Sequence, residues 1–141
     1  MTIRAGGAVF VSLNTKRICL VLRSKEVSNP YTWGFVGGKL QKNEIILDGI
    51  GREIYEELGF VPVHKAVLPI DVYKSADNNF VYYSVMILVN EEFTPQLNHE
   101  NGAYGWFDID CLPKPLHAGA KKILAHKDFK KNFLEILADN N

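Results

Sequence analysis

The chain reads GGKLQKNEIILDGIGREIYEELGF over residues 37–60. The spacing of the apolar residues predicts a helix over about residues 45–58. At about 100° per residue, Glu53, Glu56 and Glu57 occupy an arc of roughly 100° on that helix. Carboxylates three and four residues apart repel each other and destabilise a helix. A chain that keeps them together needs something that offsets the repulsion.

The same helix carries an apolar face beside its carboxylate face. The residues predicted to face the core are Leu47, Ile50, Ile54 and Leu58. Arg52 stands four residues before Glu56, so the two side chains can pair. Gly59 follows the last apolar residue, and glycine commonly ends a helix at this position. We therefore expect the helix to pack on one side and to present carboxylates on the adjoining side.

Two interpretations of the carboxylates are open. One is a solvated acidic face without a role. The other is a metal site, which is favoured because the acids cluster instead of alternating with lysine and because Glu44 stands just before the helix. The preceding glycine pair, Gly37 and Gly38, lets backbone carbonyl groups approach a ligand. Carboxylate and carbonyl oxygens suit Mg²⁺ or Mn²⁺, and a bound cation would remove the repulsion.

From Gly38 onward the pattern resembles the Nudix box, Gly-x5-Glu-x7-Arg-Glu-U-x-Glu-Glu-x-Gly-U, in which U is a bulky apolar residue. The specified positions are filled by Gly38, Glu44, Arg52, Glu53, Ile54, Glu56, Glu57, Gly59 and Phe60. The chain departs from the family at Val36, where many members have proline before the glycine pair. The complete match makes this a specific signal.

The resemblance implies a hydrolase that cleaves a pyrophosphate linkage in a nucleoside diphosphate joined to another moiety. The implied cofactor is Mg²⁺, with Mn²⁺ as a possible substitute. The resemblance assigns metal binding to Glu53, Glu56 and Glu57 and to the backbone carbonyl of Gly37. Metal ions at such a site activate water and neutralise charge on phosphate oxygens.

Three further residues complete the site that the resemblance implies. Arg52 would orient a glutamate, and Glu44 would support the site directly or through water. Glu100 stands six residues before Trp106 in a polar loop, and a similar glutamate supplies a metal ligand or base in several relatives. The general base is left open between Glu100 and a glutamate of the box, with Glu53 first among the latter.

Candidate substrate-binding residues lie around the glycine pair. They are Arg23, Tyr31, Trp33, Gly38 and Lys39. A guanidinium suits phosphate recognition, although a surface position is an equal alternative for the arginine. The two aromatic rings could stack on a base, and core packing is an equal alternative for them. His117 could touch substrate, but a capping histidine is the favoured interpretation.

The remaining sequence predicts strands separated by loops. Runs of β-branched and aromatic residues predict two hairpins, over residues 5–23 and 64–90, and a short strand near residues 104–107. Residues 24–39 are predicted to form a loop because proline and glycine punctuate them. Pro69 favours an edge position or a bulge in the second hairpin.

The chain closes with helical patterns over residues 115–126 and 128–140. In the last helix Asp128 is a candidate N-cap. The predicted apolar face of that helix consists of Phe129, Phe133, Leu134, Ile136 and Leu137. Residues 81–89 read as a central strand covered on both faces. These elements predict an α/β fold, and the resemblance implies a Nudix-type α/β/α sandwich with a mixed β-sheet flanked by helices.

Length and composition favour one domain over residues 1–141. The formal net charge is zero, so neither nucleic acid nor a membrane is an expected partner. Cys19 and Cys111 match no metal spacing, which favours a reduced, cytoplasmic protein. The apolar run that follows Arg4 is too short for a signal peptide, and no cleavage site follows it.

The expected partner is a small-molecule nucleotide substrate, bound by a monomer or a homodimer. The preferred substrates are ADP-ribose, dinucleoside polyphosphates and FAD-like cofactors. One alternative is a house-cleaning (d)NTP pyrophosphatase. An alternative of another class is a non-catalytic nucleotide-sensing module, which the intact box disfavours because such relatives usually carry an eroded one. Tyr73 lies near a tyrosine position of dinucleoside-polyphosphate relatives, although the offset matches poorly.

Overall fold

The computed structural model describes residues 2–140, which form a seven-stranded sheet and three helices. The strands are β1 (Ile3–Ser12), β2 (Ile18–Arg23), β3 (Trp33–Gly34), β4 (Val36–Lys39), β5 (Ala66–Lys74), β6 (Phe80–Val89) and β7 (Asn101–Phe107). The helices are α1 (Ile46–Leu58), α2 (Ala118–Leu124) and α3 (Phe129–Asp139). In this described part of the chain, no helix has the length and apolar character needed to cross a membrane.

Strand β1 lies at the centre of the sheet. It pairs in parallel with β6 along its whole length, from Ile3 opposite Phe80 to Ser12 opposite Val89. On its other edge it pairs antiparallel with β4 near its start and with β2 near its end. Strand β2 also pairs with β3 and β7, and β5 borders β6. The sheet is therefore mixed, and its central strand directly contacts the glycine pair of β4.

Helices cover both faces of the sheet. On one face, Ile50, Ile54 and Leu58 of α1 pack against alternate sheet residues such as Phe10 and Ile87. On the other face, α2 and α3 pack against the intervening residues, because successive side chains of a strand point to opposite faces. This second core contains Val9, Val11, Met86, Leu88, Ala120, Leu124, Phe133 and Leu137. The predicted α/β/α sandwich with a mixed sheet is confirmed.

Several local predictions are confirmed, and two are wrong. Gly59 has a φ of 83° and ends α1 as predicted. The β5–β6 ladder shifts register between Pro69 and Asp71, as expected for a bulge. Residues 24–39, predicted to be loop, contain β3 and β4, because the glycine pair joins β1 through backbone hydrogen bonds that need no strand-forming side chain. Strand β7 begins at Asn101, earlier than predicted.

The helix faces also differ from prediction. Leu47 is 57 % exposed, because the buried stripe of α1 is rotated and takes in Ile46, Glu53 and Glu57 instead. Leu134 of α3 is half exposed, since the core-facing stripe of α3 is narrower than predicted. Asp128 occupies the N-cap position of α3, but its side chain makes no capping hydrogen bond. This rotation of α1 buries Glu53 and Glu57, two of the three glutamates.

Candidate active site

Helix α1 presents its three glutamates at different depths. Glu57 is 4 % exposed and Glu53 is 8 % exposed, whereas 48 % of the Glu56 side chain is accessible. Charged side chains are seldom buried without partners, because losing hydration is costly. Burying two carboxylates at the edge of the core therefore costs stability, and the surrounding contacts offset part of that cost.

The glycine pair brings β4 against these carboxylates. A Cβ atom at Gly38 would lie 2.7 Å from the carboxyl carbon of Glu53, closer than side-chain atoms approach one another. A side chain at Gly38 would therefore displace the Glu53 carboxylate from its position. Gly37 lies opposite Gly7 of β1, and a Cβ there would collide with the backbone of β1. The pair allows helix, strand and carboxylate to meet without an intervening side chain.

Arg52 connects the acidic residues of the box. Its Nε and Nη2 donate to the two carboxylate oxygens of Glu44 at 2.9 and 3.0 Å. Its Nη1 donates to Glu53 at 3.1 Å and to Glu56 at 3.3 Å. Its Nη2 also donates to the Lys39 carbonyl oxygen at 3.1 Å. The predicted pairing with Glu56 is found, and a single guanidinium orients three carboxylates and the end of β4.

Glu44 anchors the loop between β4 and α1. Besides the two bonds from Arg52, it accepts a 2.8 Å hydrogen bond from the backbone N–H of Gln41. The hydrogen bonds from Arg52 and Gln41 lower the pKa of Glu44 to about 2. Arg4 donates to the backbone carbonyl of Glu44 at 2.9 Å. Glu44 therefore stays ionised and holds Arg52 in place.

Glu57 has an environment that opposes its ionisation. Burial, together with the charges of Glu100 and Glu53, raises its pKa to about 8, against the opposing effect of a hydrogen bond from Asn101. Asn101 Nδ2 donates to Glu57 Oε1 at 2.7 Å. The other oxygen, Oε2, is buried and has no hydrogen-bond partner among the described protein atoms. Such an oxygen is costly to bury unless it receives a proton or a cation.

Glu100 lies close enough to influence both buried glutamates. Its charge contributes to the raised pKa of Glu57 and of Glu53, the latter raised mainly by burial. The segment that carries Glu100 is fixed by hydrogen bonds. Asn98 accepts from the Glu100 N–H at 2.9 Å and donates to the Glu56 carbonyl at 2.9 Å. The Ser24 N–H donates to the Glu100 carbonyl at 2.8 Å, so the backbone here is held against α1 and β2.

These residues fit a hard divalent cation by chemistry, although they are not arranged as a closed metal site. Within residues 2–140, no group of three or more His, Cys, Asp or Glu side chains is already positioned to hold an ion. The candidate donors are nevertheless all oxygens, and Glu57 Oε2 lacks a protein partner. Oxygen donors of this kind match Mg²⁺ or Mn²⁺. A cation here would also offset the repulsion within the cluster.

A cavity of about 590 Å³ lies between the sheet and α2 and reaches the glycine pair. The glycine pair, Lys39 and Arg23 line one part of it. Burial raises the pKa of Tyr82, another lining residue, to about 12, and the charge of Glu57 adds to the rise. Arg23 is oriented by Ser28, since its Nε donates to the Ser28 carbonyl at 2.7 Å. The glycine pair thus lines the cavity on one side, and Gly38 borders the Glu53 carboxylate on the other.

Tyr31 and Trp33, predicted to bind substrate, do not line this cavity. Tyr31 is 59 % exposed. Trp33 packs in the second core with its ring centroid 5.2 Å from that of Phe107. Core packing, the alternative for Trp33, is what the structure shows. His117 caps α2 by accepting from the Gly119 N–H at 3.2 Å, as favoured from sequence, and it also lines the cavity.

The aromatic residues that do line the cavity were largely missed. Tyr73, Phe80 and Tyr82 form a continuous wall, with adjacent ring centroids 6.4 Å apart. Lys122 of α2 lies 4.3 Å above the Tyr73 ring. The sequence placed them in the strands of the second hairpin. It could not show that this part of the sheet borders a cavity, because that depends on where the helices pack. Asn101, the partner of Glu57, followed Glu100 in a polar stretch and carried no distinguishing signal.

Comparison with known proteins adds a family and several similar folds. Residues 2–127 match the NUDIX domain family. A MutT NUDIX hydrolase from Burkholderia pseudomallei is 27 % identical and superposes with a TM-score of 0.69 over 90 % of this chain and 98 % of that chain. No curated protein matches the sequence.

Two more distant structures share the fold. An ADP-ribose pyrophosphatase from Streptococcus suis is 22 % identical, with a TM-score of 0.66 over 89 % of this chain and 88 % of that chain. The NUDIX domain of Shewanella oneidensis NrtR, solved in complex with ADP ribose, is 16 % identical, with a TM-score of 0.70 over 95 % of this chain and 89 % of that chain.

Proposed function

Because this chain belongs to the Nudix family of hydrolases, we propose that it is a Mg²⁺-dependent pyrophosphohydrolase of nucleoside diphosphates linked to another moiety. Its products would be a nucleoside monophosphate and a phosphorylated second product. The observation that carries the proposal is the pair of buried glutamates, Glu53 and Glu57, on the helix that packs behind the glycine pair, which itself lines a cavity. Buried carboxylates with raised pKa values in a cleft are typical of functional sites.

The proposed metal ligands are the carboxylates of Glu53, Glu56, Glu57 and Glu100 and the carbonyl oxygen of Gly37. When bound, Mg²⁺ or Mn²⁺ supplies Lewis-acid activation of water and neutralises charge on phosphate oxygens. The ion would pair with Glu57 Oε2, which has no described protein partner. Asn101 would hold the other oxygen of Glu57 in position.

Arg52 and Glu44 act as positioning residues in this proposal. The two-pronged contact between them fixes the guanidinium, which then orients Glu53 and Glu56. The general base is either Glu100 or a glutamate of the box, with Glu53 first among the latter. The proximity of Glu100 to both buried glutamates supports its inclusion in the site.

For substrate, we propose ADP-ribose, dinucleoside polyphosphates and FAD-like cofactors as the preferred group. Similar folds are found in an ADP-ribose pyrophosphatase and in a domain solved with ADP ribose, which supports this preference. Arg23, Lys39 and Gly38 are the proposed phosphate-binding residues, since they line the cavity. The enzyme would act in the cytoplasm as a single Nudix domain, as a monomer or a homodimer.

A second candidate within the same chemistry is a house-cleaning (d)NTP pyrophosphatase. It is favoured by one observation, the 27 % identity with a MutT NUDIX hydrolase over nearly the whole of both chains. A non-catalytic nucleotide sensor is the alternative of another class. The intact set of box glutamates supports catalysis over sensing.

The test is mass-spectrometric product analysis of a nucleotide panel incubated with the protein and Mg²⁺. The panel contains ADP-ribose, a dinucleoside tetraphosphate, FAD and the common (d)NTPs. Release of a nucleoside monophosphate and a phosphorylated partner from the first three supports the preferred group. Release of pyrophosphate from (d)NTPs alone supports the second candidate. Binding of any of these nucleotides without turnover would overturn the catalytic proposal.

A further inference from the structure

The hydroxyl group of Tyr82 lies over a glycine in the floor of the cavity. Gly37 of β4 is opposite Gly7 of β1, and Gly7 is opposite Ser84 of β6. Gly37, Ser84 and Tyr82 all line the cavity. A Cβ atom at Gly7 would collide with the hydroxyl oxygen of Tyr82. The phenol therefore occupies the space above Gly7 that a larger residue at this position would fill.

This position lies beside the proposed phosphate-binding groups. Neighbouring strands are about 4.8 Å apart, so a group over Gly7 is about one strand spacing from Gly37. The hydroxyl is also near charged residues. Burial raises the pKa of Tyr82 to about 12, the charge of Glu57 adds to the rise, and the charge of Arg23 opposes it. A phosphate held at the glycine pair by Arg23 is therefore within reach of the Tyr82 hydroxyl.

The hydroxyl of Tyr82 has no hydrogen-bond partner in the described protein. Among residues 2–140 no group forms a hydrogen bond with it, and only burial and nearby charges perturb its pKa. The hydroxyl of a mostly buried tyrosine usually has a partner. Because the pKa lies far above neutral pH, the hydroxyl keeps its proton and can donate a hydrogen bond. A phosphate oxygen is a suitable acceptor, since it carries negative charge.

A packing role alone is the alternative interpretation of Tyr82. An aromatic ring that covers a glycine in a neighbouring strand supports the pairing of a sheet. A phenylalanine ring would cover Gly7 equally well, so packing does not require the hydroxyl. The alternative therefore predicts that removing the hydroxyl leaves ligand binding unchanged.

We propose that the Tyr82 hydroxyl donates a hydrogen bond to the phosphate group that carries the nucleoside. This inference rests on the proposed function for the location of the phosphates at the glycine pair. Arg23 supplies the charge that attracts the phosphate, whereas Tyr82 supplies an uncharged donor that β6 holds at a fixed place in the floor. Losing a donor to a charged group weakens binding by about tenfold to a hundredfold. Tyr82 is thus a substrate-binding residue outside the glutamate box.

The experiment compares nucleoside monophosphates with their nucleosides, so that it isolates the contribution of the phosphate. The affinities of AMP, adenosine, GMP and guanosine are measured by NMR titration in buffer with EDTA, which excludes turnover. For at least one pair, the wild type should bind the monophosphate more tightly than the nucleoside. Tyr82→Phe should weaken binding of that monophosphate by about tenfold or more and should change the affinity for the nucleoside by less than about twofold. The variant should unfold at the wild-type temperature, since the hydroxyl has no described protein partner.

Tyr83→Phe is the matched control. Tyr83 follows Tyr82 in β6, and its side chain points to the opposite face because side chains alternate along a strand. Tyr83 does not line the cavity. The same atom is removed from the same strand, so a general effect of losing a tyrosine hydroxyl would appear in this variant too. Its affinities for both ligands should equal those of the wild type.

Three results would overturn the inference. One is a wild type that binds neither monophosphate more tightly than its nucleoside. Another is a Tyr82→Phe variant that binds the monophosphate within about twofold of the wild type. The third is an equal loss of monophosphate and nucleoside affinity in Tyr82→Phe, which would place the hydroxyl at the sugar or the base.

Turnover of the nucleotide panel with Mg²⁺, measured separately, distinguishes this inference from the proposed function. Turnover by a wild type whose monophosphate binding does not depend on Tyr82 overturns only the inference. Monophosphate binding that depends on Tyr82, in a protein without any turnover, overturns only the catalytic proposal.

Discussion

Replacing Glu57 by glutamine is expected to stabilise the metal-free protein at alkaline pH. The ordinary pKa of a glutamate is 4.5, and burial raises that of Glu57 to about 8. Between these values the folded chain retains a proton that the unfolded chain has released, so the free energy of unfolding falls as pH rises. The pKa rise corresponds to at most about 5 kcal/mol at 1.36 kcal/mol per pH unit, reduced by relaxation of the site around the charge.

Glutamine retains the oxygen that accepts from Asn101 but carries no charge. Urea denaturation in EDTA at about pH 5, 6.5 and 8 measures the effect. From pH 5 to pH 8 the free energy of unfolding of the wild type should fall by several kcal/mol more than that of Glu57→Gln. Glu56→Gln is the matched control, because about half of that side chain is exposed, and its pH dependence should follow that of the wild type. Parallel pH dependences for the wild type and Glu57→Gln would refute the reasoning.

The remaining predictions concern catalysis. Turnover should need Mg²⁺ or Mn²⁺ and should vanish with EDTA, because the candidate ligands are all oxygens; robust turnover in chelated buffer would contradict this. Glu56→Gln and Glu57→Gln should each lower kcat by about 10²–10⁴ in steady-state assays, as expected for loss of one positioned charge, and wild-type rates in both variants would rule out a catalytic role for these two carboxylates. Glu100→Gln should lower kcat by about tenfold or more with a smaller change in KM; if both constants stay within about twofold, the base is reassigned to Glu53. In ¹⁸O-labelled water the label should enter a phosphate product, and label in a sugar hydroxyl would instead indicate glycosyl hydrolysis.

The sequence predicted elements whose signals are local. Gly59 ended α1 as expected, because a single glycine is enough to provide the left-handed backbone conformation that ends a helix. The register shift at Pro69 followed from the missing N–H of proline. The runs of β-branched and aromatic residues predicted the hairpin of β1 and β2 and the hairpin of β5 and β6. These local signals predicted an α/β fold, whereas the α/β/α sandwich was implied by the resemblance of residues 38–60 to the Nudix box.

Other features depend on contacts between distant segments. Strand β4 forms because β1 supplies backbone hydrogen-bond partners. The residues of β4 themselves do not favour a strand, so the sequence did not predict it. The rotation of α1 about its axis decides whether Glu53 and Glu57 face solvent or the core. The helical repeat gives only the angle between the two side chains. Asn101 and Ser84 acquire their positions from the pairing of strands, which a local pattern does not encode.

Strand β1 cannot complete its pairing until β6 has been synthesised, because Ile3 pairs with Phe80, 77 positions later. Contacts between distant positions slow folding, since the intervening loop must close first. Until then the nascent chain carries the complete glutamate box beside strands β1 to β4 alone, without the β6 pairing that completes the centre of the sheet. The exposed edge of β1 is open to wrong pairing during this interval. A ribosome-bound chain that stops before Val89 should therefore remain protease-sensitive, and the enzyme should acquire its site only late in synthesis.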